Sequence, residues 1–144
     1  MSEALMDSEL FSRIRSCNLK VLGWFDCDGL TVEDVFHRVV HIDVVPVKRI
    51  PADSVDIGRK VNEYWGLHAR SGGVIADDGT FLVAGSLEGG WVSVKMIDNV
   101  EVFNFREASG DILFVARSAS GHHVCAVSRE GSEYWIIEVD FPEG

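Results

Sequence analysis

Two carboxylates one residue apart, Asp26 and Asp28, close an apolar run that begins at Val21, and they are the sharpest chemical feature of this 144-residue chain. A carboxylate at the end of a strand can attack an electrophile such as phosphorus, while its neighbour carries the proton for the leaving group. Glu33, His37 and His41 form a second set, spaced four residues apart. On a helix they would stand in line on the solvent face. The first and last would then be about 12 Å apart along the axis, too far for one ion. A metal would take two of them, His37 and His41 in the leading version, and borrow a ligand such as Asp43 or His68. His122 and His123 sit in a Ser-x-Ser-Gly-His-His turn, where neighbouring side chains point to opposite faces of a strand. No nucleophile elbow, P-loop or dinucleotide-binding glycine pattern is present.

The segment Val21-Leu22-Gly23-Trp24-Phe25-Asp26-Cys27-Asp28-Gly29 resembles the first motif of the haloacid dehalogenase-like phosphatases, an apolar strand ending in D-x-D-G. The resemblance implies Asp26 as nucleophile, Asp28 as general acid/base, and Mg²⁺ held by both. It also implies a later acidic pair, which Asp77-Asp78 could imitate, and a lysine, for which Lys48 or Lys60 would serve. It covers about ten residues. The family's alternating βαβ pattern is missing, because the chain turns to short hairpin-linked runs after Gly72. D-x-D-G is equally the turn between a strand and a helix. It also resembles half of a calcium loop, but His37 stands at the twelfth position, where an acid is needed. The expectation is therefore no catalytic residues, no resident metal and no cofactor, with a Mg²⁺-dependent phosphatase as the runner-up.

Charge points elsewhere. Asp and Glu number 23 against 13 Lys and Arg, a net charge of −10. Such a field repels nucleic-acid phosphates and anionic lipid and attracts a basic protein. Large amphipathic aromatics are the usual anchors of protein interfaces. Trp65 and Trp91 adjoin glycines, and this makes them the expected exposed anchors. Glu88, Glu101 and Glu133 are the expected acidic contacts. Three cysteines without a C-x-x-C pair argue against a disulfide framework and a thiolate zinc site. The polar start and the absence of long apolar runs predict a cytoplasmic protein with no membrane segment.

These residues need elements to hold them. Leu10, Phe11 and Ile14 support a helix over about 2–17, followed by a strand over 19–25. Thr31 as cap and the stripe Val32, Val35, Phe36, Val39, Val40 predict a helix over 31–41. A strand at 42–47 would lie at a sheet edge because of Pro46. A third helix over 54–65 would be capped by Asp53 or Ser54 and stopped by Gly66. From 73 to 140 seven short apolar runs, including 74–76 and 100–105, alternate with tight turns. The expected fold is a single α+β domain over 1–144, with N-terminal helices packed on a mainly antiparallel β-meander.

Size, acidity and missing catalytic motifs predict a non-enzymatic protein-binding domain. Its most specific form is a bacterial immunity protein or antitoxin that neutralises a basic toxin. A subunit or chaperone domain of a larger assembly is the other alternative, and an open sheet edge would permit a homodimer.

Overall fold

The structure, a computed structural model, describes residues 2–25, 31–39, 44–86, 90–105, 113–119 and 123–140. It is an α+β fold built on one seven-stranded antiparallel sheet. Helix α1 (Ser2–Arg15) precedes strand β1 (Leu19–Trp24), and helix α2 (Val32–Val39) precedes strand β2 (Lys48–Pro51). Helix α3 (Ile57–Ser71) leads into β3 (Thr80–Ser86) and β4 (Gly90–Met96). A 3₁₀ turn, Val102–Asn104, then leads to β5 (Leu113–Arg117), β6 (His123–Glu130) and β7 (Glu133–Asp140).

The strand order is β1-β4-β3-β5-β6-β7-β2. The C-terminal run is a meander except at one step: β5 pairs with β3, not with β4, so the chain passes β3 between them. That passage is why 100–105 forms no strand. Its apolar residues Val102 and Phe105 turn down into the core through the 3₁₀ turn. Residues 74–76 also stay out of the sheet, with Val74 buried beneath the end of α3. Of the edge strand expected at 42–47, residues 42–43 lie outside the described residues and 44–47 form no strand; the strand beside β7 is Lys48–Pro51.

Period-2 alternation sends side chains to both faces of the sheet. One face packs Phe81, Val83, Val92, Val94, Phe114 and Val127 against α1, α3 and the 3₁₀ turn. The other packs Leu82, Trp91, Val115, Ala126 and Ile137 against Val32, Val35 and Val39 of α2. The Thr31 hydroxyl accepts the Asp34 N–H at 3.1 Å, the expected cap.

Helix α3 departs from expectation at both ends. It starts at Ile57 behind Asp56, whose backbone is left-handed (φ 55°) and whose side chain makes no cap bond. It then runs through Gly66 for another five residues. Val61, Trp65 and Ala69, four apart, keep facing the sheet, and that burial outweighs the local cost of a helical glycine. The stop comes at Gly72-Gly73. Gly73 is left-handed (φ 80°), its N–H reaches Arg70 O, and the Val74 N–H reaches Ala69 O at 2.8 Å, a Schellman closure.

Candidate functional site

The three glycines at and beyond the helix's first turn behave differently. A Cβ on Gly58 would lie 3.1 Å from the Phe103 ring, so Gly58 makes room for a side chain of this protein. A Cβ on Gly72 would lie 2.6 Å from Glu138 Oε1 and 3.0 Å from His68 O, at the crowded helix end. A Cβ on Gly66 would meet nothing within 4 Å. Nothing among the described residues requires a glycine there, although it weakens the helix by about 1 kcal/mol relative to alanine.

Gly66 opens onto a groove of about 860 Å³. One wall is the outer stripe of α3, from Arg59 through Asn62, Glu63, Gly66 and Leu67 to Arg70. The opposite wall is the end of β4 and the segment after it, from Met96 through Asn99 and Val100 to Glu101, with Ile75 closing one end. Leu67 is 61% exposed, and Ile97, beside the far wall, is 71% exposed. Exposed aliphatic side chains flanking an apolar groove are the composition of a docking surface.

The charged residues lining the groove are Arg59, Glu63, Arg70 and Glu101, two of each sign. Toward the start of α3, Arg59 lies 3.8 Å from both Asp56 and Glu63. Glu101 is held by the Asn104 side-chain amide, which donates to its Oε2 at 2.9 Å. Arg70 marks the other end.

A second polar feature lies beyond the end of α3. His68 Nδ1 is 3.1 Å from Glu138 Oε2, and His123 Nδ1 contacts Asp140 Oδ1 across the β6–β7 ladder. Each pair resembles the oriented-imidazole half of a nucleophile–base–acid set. The nearest thiol, Cys125, opposes Glu138 across the ladder but is fully buried, and burial drives its pKa well above the ordinary thiol value. Cys17 behaves alike: burial first, then Glu101, outweighs the Ser16 hydrogen bond and pushes it to about 12. Neither is a ready nucleophile at neutral pH. Among the described residues, no three His, Cys, Asp or Glu groups come together to hold a metal ion.

The structure separates the residues nominated from sequence. Trp65 and Trp91 are corrections: they are 0% and 2% exposed, core residues and not surface anchors. Trp65 packs on Phe81 and edge-on to Phe114, and its Nε1 donates to Cys125 O at 3.2 Å. Trp91 lies on the opposite sheet face, beneath the Arg117 guanidinium at 5.3 Å. The adjoining glycines carry the backbone into buried positions and expose neither ring. Glu101 stands at the groove, with Trp65 beneath its floor. Glu133 lies on the other face, accepting the Trp135 Nε1–H.

Glu88, Asp26, Asp28 and His41 lie outside the described residues, and His37 is exposed on α2. Asp77 and Asp78 form the turn into β3. There the Thr80 hydroxyl and N–H bind Asp78 and lower its pKa, a local turn role unlike a metal-binding pair. Sequence reasoning missed Gly66, Leu67, Arg70 and Ile97; the one local signal was Leu67, an aliphatic residue off the buried stripe beside a glycine. Among the described residues, no helix is long and apolar enough to cross a membrane. Comparison with known protein families, with curated proteins and with solved structures gives no match.

Proposed function

We propose that the chain is a non-catalytic protein-binding domain that captures a basic protein, in the manner of an immunity protein or antitoxin, and that the groove beside α3 is its contact surface. The observation that carries this reading is the combination at the groove: Leu67 exposed on its wall, and Gly66, where an added Cβ would meet no described atom within 4 Å. Apolar groups left exposed around a concavity gain free energy when a partner covers them, at about 25 cal/mol per Å². The excess of negative charge speeds encounter with a basic partner and discriminates against acidic ones.

Several basic side chains of the protein lie over its own aromatic rings. Lys48 is over Tyr64, Arg49 over Trp135 and Arg129 over Tyr134.

A photo-crosslinking residue at position 67, introduced in the cell of origin, tests the reading. A discrete basic protein should be captured at position 67 and not at position 33, on the far face. When purified, that protein should bind the wild-type chain and lose at least tenfold in affinity to Leu67→Asp. Equal binding by the variant would overturn the assignment of the groove.

A further inference from the structure

We draw no further inference here: the strongest candidate, the outer edge of strand β1 with Leu22 and Trp24 exposed along it, has no second strand beside it among the described residues, and nothing in the structure shows what covers it.

Discussion

The two sides of α3 carry the same helical period and opposite physics. On the inner side Val61, Trp65 and Ala69 are buried against the sheet, and the Trp65 Nε1–H bonds to Cys125 O. On the outer side the corresponding stripe holds Gly66 in open space, Leu67 in solvent and the charged side chains Arg59, Glu63 and Arg70. A helix made only for stability would place alanine at position 66. The difference separates what the fold requires from what a partner requires.

Substitutions on each side should break that contrast in opposite directions. Trp65→Ala removes a ring packed on Phe81 and Phe114 and should cost about 3–5 kcal/mol, read as a fall in the denaturant midpoint. The next effect comes from the thiols of the inner region. In the unfolded chain a cysteine titrates near pH 8.5, whereas folded Cys17 holds its proton to about 12. Its stabilising effect is thus fully present below about pH 8.5 and is lost as pH rises toward 12. The loss should be about 1.4 kcal/mol per pH unit at most, measured as the stability difference between wild type and Cys17→Ala from pH 8 to 10.5.

Two glycine substitutions differ in sign. Gly72→Ala pushes a methyl against His68 O and Glu138 and should destabilise by about 1 kcal/mol or more. Gly66→Ala should stabilise by up to about 1 kcal/mol, seen as a higher thermal midpoint. If both destabilise, Gly66 has a packing role and the contrast fails. The smallest effect belongs to the runner-up chemistry. Asp26→Asn and Asp28→Asn should leave p-nitrophenyl phosphate turnover with Mg²⁺ at the background shared by wild type; turnover lost in Asp26→Asn would establish the phosphatase instead.

Much of the fold was legible where local and tertiary signals agree. Thr31, Asp34 and the stripe Val32, Val35, Val39 defined α2 because cap and burial point the same way. The strands from Phe81 onward were legible because tight turns separate them. The end of α3 was misread because one glycine, Gly66, looked like a stop, while the core-facing run to Ala69 decided the length. The pair Gly72-Gly73 held the true signal. Residues 100–105 read as a strand because burial and β-propensity look alike in sequence; only the pairing of β5 with β3 turned them into a 3₁₀ passage. The groove was illegible for a different reason. Its walls, α3 and 96–101, are about thirty residues apart, and no spacing rule brings them together.

The placement of β2 has a consequence for how the protein is made. Lys48–Pro51 pairs only with β7, through Lys48↔Ile136 to Pro51↔Glu133. During synthesis the segment emerges from the ribosome more than eighty residues before its partner, and at about 5–20 residues per second it waits several seconds unpaired. Its composition suits that interval. It is four residues long, begins with Lys48-Arg49 and ends in Pro51, which has no N–H to offer a passing strand. β2 therefore joins the sheet only after β7, more than eighty residues further along the chain, has been made.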